Sequence, residues 1–535
     1  MGENESNRLV KGALLLTLAG LVSKVLSAGY RIPLQNLTGD VGFYIYQQVY
    51  PILGIALVLA LYGFPQAISK MTADRKAEGK SLSFPHFYGP VLILLLGLNG
   101  AVFLFLWMNA DSLAMWVGDA GLSRSYQFAA FVFLLIPFSA LLRGLFQGNY
   151  EMKPAASSQV GEQLVRVAII IAVAVWVGFQ GQHLYIVGQA AALAAVAGAG
   201  AAIIILSLFL LKKRPPLQAK EQDAIPWVDY ASTLITLGVV AALNHMVLLV
   251  IQFADAFTLV PSLMESGFSQ LEAMEAKGVF DRGQPLIQLG TVLGSSFALA
   301  LIPVISREKL NASPGTFYPY IRGGMLFSFY LAAGATVGLI AIFPEANTLL
   351  FQNDQGTGEL QLLVVSILLC SLAITAASIL QGLGYVKRTA GFILIALFAK
   401  WIGNQLLVLW WGITGGALAT VLALLILCTC VLWELKRKLP ELDFFRRLDW
   451  LTLGKALVAM LAAILLLEFL FLDQVSASRL GLLFYVLTVS VTGGVLYLFV
   501  LLKGWAFTEK ELGMLPFSQF FIRIHNGRNH HHGKN

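Results

Sequence analysis

Long apolar runs separated by short polar loops repeat along the whole chain. A helix needs about 20 apolar residues to cross the ~30 Å hydrocarbon core of a bilayer, and about fourteen runs approach that length. They cover approximately residues 9–32, 44–68, 86–108, 125–147, 155–178, 183–211, 228–252, 284–306, 317–343, 359–382, 389–410, 413–434, 449–472 and 478–503. The pattern predicts an all-α integral membrane protein with about 14 transmembrane helices.

The composition supports this interpretation. The 535 residues are 58% hydrophobic and only 12% charged, and the mean hydropathy is +0.76. These values exclude an ordinary soluble domain. The first apolar run contains Lys24 and Arg31 and lacks a small-residue cleavage site, so we expect it to remain as the first span rather than to be removed as a signal peptide.

Lysine and arginine are concentrated in alternate loops, which predicts the orientation. The basic loops are residues 70–80, 212–220, 307–309, 387–388 and 436–447, and the base-poor loops include 109–119, 265–281 and 345–359. Because short cytoplasmic loops carry the excess of bases, we expect a multi-pass protein of the cell membrane with both termini in the cytoplasm. The net charge of +7 then reflects topology, and no nucleic-acid partner is expected.

A short internal repeat predicts the domain organisation. Phe146-Gln147-Gly148 resembles Leu380-Gln381-Gly382, and Arg166 and Lys400 each follow the respective glutamine by nineteen residues. An offset of six spans relates two halves in the same orientation. We therefore expect two pseudo-symmetric six-helix lobes, an additional helix pair and a tail. Their predicted bounds are 1–215, 216–445, 446–505 and, for the cytoplasmic tail, 506–535, with the loop at 212–220 as the hinge.

Charged residues inside or beside these spans are the candidate site. An ionisable group near the bilayer centre costs at least ~2.5–3.5 kcal/mol, so it tends to face a bundle interior or a wet cavity and to pair there. The segment 137–167 contains Arg143, Glu162 and Arg166. Glu162 and Arg166 have the i, i+4 spacing of a helical ion pair. The spacing alone leaves open whether that pair binds cargo or joins two helices.

Other polar residues extend the candidate site. Lys24 and Arg31, seven positions apart, fall on one helical face. Lys400 has Asn404 one turn further on, and the repeat places it opposite Arg166. We interpret His245 either as an interhelical hydrogen-bonding group or as part of a proton relay. Asp255 is expected near the outer end of its span, where it either binds a coupling cation or faces water.

The balance of these charges favours an anionic cargo. Buried or nearly buried bases outnumber the acids Glu162 and Asp255, and such an excess suits a phosphate or diphosphate. A drug or metal-cation exporter would show the opposite excess. The sequence has no P-loop, and its three cysteines fall within predicted spans. We therefore expect no catalytic residues, no metal site and no cofactor, and coupling to membrane potential or to a monovalent ion.

Four segments carry a resemblance to a known family. They are residues 27–39, 63–70, 143–167 and 283–306, and they resemble the polysaccharide-export, MurJ-like branch of the multidrug/oligosaccharidyl-lipid/polysaccharide flippase superfamily, close to sporulation protein VB. The resemblance implies fourteen helices, a cavity open alternately to each side and a lipid-linked sugar diphosphate as cargo. It also implies a cavity lined by bases of the first, second and eighth spans. Lys24 and Arg31 match the first-span pattern and Arg282 the eighth, while the second span has no base between Tyr44 and Ile68.

Two classes of function follow from this sequence. The first is a flippase that moves a lipid-linked anionic saccharide, such as a lipid II-like cell-wall precursor, among membrane lipids, with polysaccharide or cell-wall synthesis proteins as partners. The second is a membrane-embedded polymerase or ligase acting on the same lipids. The predicted outer loop at 255–282 contains acids but no histidine, which favours the flippase. A cation-coupled multidrug exporter fits the number of spans but not the excess of bases.

Overall fold

A computed structural model describes residues 3–80, 82–212, 225–301, 314–442, 444–475, 478–513 and 518–526. Within these ranges the chain is almost entirely helical and forms no β-strand. Twelve helical segments of this part of the chain are long and apolar enough to cross a membrane. The predicted class, an all-α multi-pass membrane protein, is confirmed.

The helices follow one another with short connections. They are α1 (Glu3–Gly29), α2 (Arg31–Val58), α3 (Phe64–Ala77), α4 (Gly89–Met108), α5 (Ala110–Val117), α6 (Ser123–Ala130), α7 (Val132–Gly148), α8 (Met152–Gln180), α9 (Tyr185–Lys212), α10 (Trp227–Thr233), α11 (Val247–Glu265), α12 (Gln270–Asp281), α13 (Gly283–Leu301), α14 (Pro314–Ala341), α15 (Phe343–Phe351), α16 (Thr357–Val364), α17 (Ser366–Gly382), α18 (Val386–Lys438), α19 (Trp450–Val475), α20 (Arg479–Lys503), α21 (Glu509–Leu512) and α22 (Ser518–Asn526).

The helical segments divide differently from the predicted apolar runs. The segment Leu15–Ala77 contains most of the first predicted span and all of the second, and Val386–Lys438 contains the eleventh and twelfth. The predicted span 228–252 instead becomes two segments, Trp227–His245 and Val247–Glu265. The predicted boundary at 215, the loop at 307–309 and most of the loop at 212–220 lie outside the described residues.

Two glycines bend the helices α2 and α18. Gly39 in α2 has φ 68° and Gly412 in α18 has φ 55°, and both values lie in a region that side chains with a Cβ rarely adopt. A helix that turns at such a residue changes direction without a loop. Both glycines lie in breaks of the apolar pattern, Gly39 between the runs 9–32 and 44–68 and Gly412 between the runs 389–410 and 413–434, and the structure places a kink at each break.

The first compact unit holds every predicted site residue. It comprises residues 1–285 and 386–419. Its central helix is α2, which is buried along most of its length and packs against α8, α9, α11 and α12. The most extensive packing joins α8 to the alanine- and glycine-rich α9, where small side chains let two backbones approach closely.

The second compact unit comprises residues 286–385 and 420–535. Within it α14 packs against α17 and α19 against α20. Tyr497 of α20 donates a hydrogen bond of 2.7 Å to the Tyr330 carbonyl of α14, and Arg322 pairs with the buried Glu511 at 2.8 Å. Side-chain contacts of this kind fix the helices of the unit together.

Candidate functional site

Arg143 and Glu162 form a buried ion pair between α7 and α8. The Arg143 Nη2 donates to Glu162 Oε2 at 2.7 Å, its Nε donates to Ser158 Oγ at 3.0 Å and its Nη1 to the Ala60 carbonyl at 3.1 Å. The predicted pairing of Glu162 with Arg166 is therefore wrong. Arg143 reaches the carboxylate from a neighbouring helix with good geometry, and all three of its nitrogens are satisfied, so the pair joins helices.

Arg31 is a buried cation that contacts tyrosines and not a carboxylate. Its side chain is 0% exposed, and none of its three guanidinium nitrogens has a hydrogen-bond partner of good geometry. The guanidinium carbon lies 4.0 Å from the centre of the Tyr50 ring, which is a cation–π contact. Tyr30 and Tyr46, whose hydroxyls bond to each other, are also within electrostatic range of Arg31.

Arg166 shares this aromatic environment. Its side chain is buried, and its Nε and Nη2 lack hydrogen-bond partners. Tyr30, Tyr46 and Tyr50 interact electrostatically with it as they do with Arg31. Within the described ranges neither arginine forms an ion pair, because the carboxylate of Glu162 bonds to Arg143. We name Arg31, Arg166 and the three tyrosines the arginine cluster.

Lys24 and His245 belong to a neighbouring polar region. The Tyr62 ring stacks on the His245 ring with centroids 4.9 Å apart, and the Tyr62 hydroxyl accepts a hydrogen bond of 3.2 Å from Gln159. Lys24 is half-buried and acts electrostatically on His245. His245 is the last residue of a short 3-10 turn and is exposed. These side chains therefore line an opening between helices.

Lys400 and Asp255 form a second buried ion pair, between α18 and α11. The Lys400 Nζ lies 2.7 Å from Asp255 Oδ1 and donates to Asn404 Oδ1 and to the Gly416 carbonyl, each at 2.8 Å. Asp255 is 1% exposed, so the alternative in which it faces water is wrong. Asn404 also donates to Asp255 Oδ1 at 2.9 Å, whereas Asp255 Oδ2 has no hydrogen-bond partner.

Arg282 forms an ion pair with Asp40, a residue that the sequence analysis did not identify as a candidate. Its Nε and Nη2 donate to the two oxygens of Asp40 at 2.8 and 2.6 Å. This bidentate fork joins α2 to the start of α13. Nearby, Lys277 pairs with Asp281 at 2.6 Å. Burial raises the pKa of Asp281 to about 6, although the Lys277 ammonium opposes that rise.

The structure thus separates the predicted site residues by their pairing. Arg143, Lys400 and Arg282 are neutralised by Glu162, Asp255 and Asp40. Arg31 and Arg166 are instead brought together around tyrosines that sequence reasoning missed. The available signal was the run Tyr44 to Tyr50 (YIYQQVY), where polar and aromatic residues occupy a segment that is otherwise apolar. No group of His, Cys, Asp and Glu that could hold a metal ion occurs in the described part of the chain.

Comparisons with known proteins agree with this architecture. The sequence profile of the family described as polysaccharide biosynthesis protein matches residues 9–309. The chain is 39% identical to the uncharacterised membrane protein YabM of Bacillus subtilis (strain 168), over 95% of this chain and 94% of that protein. It is 24% identical to the lipid II flippase MurJ of the same organism, over 78% of this chain and 80% of that protein.

A solved structure shares the fold. The inward closed conformation of a lipid II flippase MurJ aligns with a TM-score of 0.65 and 13% identity, and the alignment covers 92% of this chain and 99% of that one. The predicted resemblance to the polysaccharide-export branch is confirmed by the profile and by these relatives.

Proposed function

Because the chain belongs to the polysaccharide biosynthesis protein family, in the MurJ-like branch of the multidrug/oligosaccharidyl-lipid/polysaccharide superfamily, we propose that it is a flippase. Its proposed cargo is a lipid-linked anionic saccharide, a polyprenyl-diphosphate sugar of the kind used for cell-wall or polysaccharide assembly. It would cross the membrane by alternating access. A relative whose name states an activity is a flippase, which supports transport over a polymerase or ligase reaction.

The single observation that carries this proposal is the arginine cluster. Arg31 and Arg166 are buried and positively charged, and neither forms an ion pair among the described residues, although the carboxylates of Asp281 and Glu162 act on them electrostatically. An uncompensated buried charge costs several kcal/mol. We interpret such a destabilising charge as a binding group that a ligand neutralises during function. Because the charge is positive, that ligand is an anion.

A diphosphate suits the donors of this cluster. Each guanidinium group presents several N–H donors in a planar fork that matches phosphate oxygens. The hydroxyls of Tyr30, Tyr46 and Tyr50 add neutral donors that do not repel an anion. A multidrug cation would meet two unpaired positive charges in the same place, so the charge pattern opposes a multidrug exporter.

We assign the other predicted residues different roles in the same process. Lys24 beside His245 would attract the headgroup to the opening between helices. The pairs Arg143–Glu162 and Arg282–Asp40 would hold the helices that frame the arginine cluster. The pair Lys400–Asp255 would take part in the coupling step, because Asp255 keeps one open oxygen for a monovalent ion or a proton. Membrane potential is the other proposed driving force.

The proposal includes the location, the orientation and the partners of the protein. We place it in the cell membrane with both termini in the cytoplasm, following the alternation of basic loops. Its cargo would enter from the surrounding membrane lipids. Polysaccharide or cell-wall synthesis proteins would supply the cargo or consume it.

A transport assay with matched variants tests this function. The protein is reconstituted in proteoliposomes with a fluorescent polyprenyl-diphosphate sugar, and translocation is followed with and without an imposed potential. We expect Arg31→Gln, Arg166→Gln and Lys24→Ala each to slow translocation by about tenfold or more, the effect of losing one charge-assisted contact. Arg31→Lys should retain part of the activity, because it keeps the charge but loses the fork.

Controls separate loss of binding from loss of folding. Lys80→Gln removes an exposed base that pairs with the exposed Glu78 and should translocate at the wild-type rate. Arg31→Gln should keep its thermal stability, since it removes an unpaired buried charge. Wild-type translocation by well-folded Arg31→Gln and Arg166→Gln proteins would contradict the proposed cargo site.

A further inference from the structure

A buried carboxylate outside the arginine cluster lacks a counter-ion. Asp119 is 1% exposed and precedes a short turn between α5 and α6. Its Oδ1 accepts hydrogen bonds from the Tyr185 hydroxyl at 2.5 Å and from the Gly121 amide at 3.0 Å. Its Oδ2 is buried and has no hydrogen-bond partner. In the part of the chain that the structure describes, no Lys, Arg or His forms an ion pair with Asp119.

Hydroxyl oxygens on two helices of the same compact unit also lack partners. The hydroxyls of Tyr44 on α2 and of Ser125 and Tyr126 on α6 are buried and have no hydrogen-bond partner of good geometry. Tyr44 and Tyr126 both interact electrostatically with Asp119. Each of these three residues is 0% exposed. One carboxylate oxygen and three hydroxyl oxygens of this region therefore lack hydrogen-bond partners, and two of the hydroxyls lie within electrostatic range of the carboxylate.

A proton on Asp119 would not resolve this arrangement. A proton would neutralise the carboxylate, but it would leave the hydroxyls of Tyr44, Ser125 and Tyr126 without a charged partner, since each of them also lacks a hydrogen-bond partner. A cation behaves differently, because it binds oxygens at about 2.3–2.6 Å, as Ca²⁺ does, and so holds together oxygens too far apart to bond directly. One carboxylate balances one positive charge, and hard oxygen ligands favour an alkali cation over a soft transition metal.

We propose that Asp119, Tyr44, Ser125 and Tyr126 form a binding site for a monovalent alkali cation, with Na⁺ as the ion of best fit. The bound ion would neutralise the Asp119 carboxylate and join α2 to α6. Tyr185, through its bond to Asp119 Oδ1, would extend the connection to α9. The site shares no residue with the arginine cluster.

A surface pocket offers a route to this site. The pocket encloses about 500 Å³ and is lined by Ile45, His183 and Tyr185, among other residues. The His183 ring stacks on the Tyr185 ring with centroids 5.3 Å apart. Tyr185 therefore stands between the pocket and Asp119, and a rotation of its ring would open the path.

Direct ion binding tests the proposal without any transport. The full-length protein is purified in sodium-free buffer containing choline chloride, and binding of radioactive Na⁺ and thermal stability are measured as Na⁺ replaces choline at constant ionic strength. We expect saturable binding of about one Na⁺ per chain, as one carboxylate permits, and a Na⁺-dependent rise in Tm. Asp119→Asn should lower the Na⁺ affinity by about tenfold or more.

Two further variants keep the result interpretable. Tyr126→Phe retains the carboxylate and the packing but removes one oxygen, so it should weaken Na⁺ binding less than Asp119→Asn does. Asp111→Asn removes an exposed acid of the same region, one that bonds to Ser123, and should bind Na⁺ as the wild type does.

Three outcomes would overturn the proposal. The first is the absence of Na⁺ binding and of any stabilisation, as expected if only water fills the gap. The second is stabilisation by acid but not by Na⁺, which would indicate a protonated Asp119. The third is Na⁺ binding that survives Asp119→Asn and is lost with Asp255→Asn, which would place the ion beside Lys400 instead.

Discussion

At the scale of single residues, buried charges in this protein are of two kinds. Most are paired at short distances, as in Arg143–Glu162 and Lys400–Asp255. Arg31, Arg166 and Asp119 instead keep open donors or acceptors. A buried ion pair helps to hold two helices together. A buried charge without a partner destabilises the folded protein unless a ligand binds to it. The presence or absence of an ion-pair partner therefore distinguishes structural charges from ligand-binding charges better than burial alone does.

A double-mutant cycle tests the reassigned partner of Glu162. Either Arg143→Met or Glu162→Gln alone should lower the free energy of unfolding by about 3–5 kcal/mol, because each leaves the other group buried and unpaired. Combining them should restore much of that loss. Denaturation of the purified proteins in detergent gives the coupling free energy.

The matched cycle uses Arg166→Met in place of Arg143→Met. Since Arg166 does not bond to Glu162, its coupling to Glu162→Gln should be clearly smaller. A coupling through Arg166 equal to that through Arg143 would show that the i, i+4 pair exists after all.

At the scale of helices, the kinks determine where the site residues lie. Gly412 divides α18 so that the Gly416 carbonyl, on the second part, returns to the Lys400 ammonium on the first at 2.8 Å. Gly39 bends α2 just before Asp40, the residue that holds Arg282. In both helices a backbone conformation available to glycine lies next to a polar group that meets a charged partner, the Gly416 carbonyl with Lys400 in α18 and Asp40 of α2 with Arg282.

Two glycine substitutions in α18 test the role of its kink. Gly412→Ala forces a Cβ into a disfavoured conformation with φ 55° and should lower stability by about 1–3 kcal/mol. Gly391→Ala is the matched control, because Gly391 lies in a regular part of the same helix with no atom within 4 Å of an added Cβ. It should be neutral or stabilise by up to about 1 kcal/mol. Equal thermal stability of the two variants would argue against a strained kink.

At the scale of the whole molecule, the charged residues of the predicted site are unevenly distributed between the two compact units. All the predicted site residues belong to the unit formed by residues 1–285 and 386–419. Among its described residues, the other unit has aromatic contacts between helices and the ion pair Arg322–Glu511. The proposed cargo and ion sites therefore both depend on the packing of one unit.

Cysteine labelling tests the predicted orientation. In a background without Cys370, Cys428 and Cys430, single cysteines in the loops 70–80 and 436–447 should be shielded from impermeant thiol reagents in intact cells. Gly356→Cys, in an acidic loop, should react. The reason is that basic loops remain in the cytoplasm. Permeabilised cells provide the control for accessibility, and labelling of the two basic loops in intact cells would reverse the topology.

The sequence by itself determined the class of the protein and the set of candidate charges. Apolar runs of bilayer length predict membrane helices because no water in the hydrocarbon core can satisfy exposed backbone groups. The cost of intramembrane charge likewise singles out Lys24, Arg31, Arg143, Glu162, Arg166 and Lys400 as candidates. Both inferences rest on local chemistry, which a sequence displays directly.

Only the tertiary structure decided which charges pair. The i, i+4 spacing favoured Glu162 with Arg166, yet Arg143 approaches from another helix and binds the carboxylate. Lys400 and Asp255 are 145 positions apart in the chain (400 minus 255) but lie in contact. Long arginine and lysine side chains reach whichever oxygen a packed neighbour presents. Their partners therefore follow from helix kinks and helix packing, which no local pattern encodes.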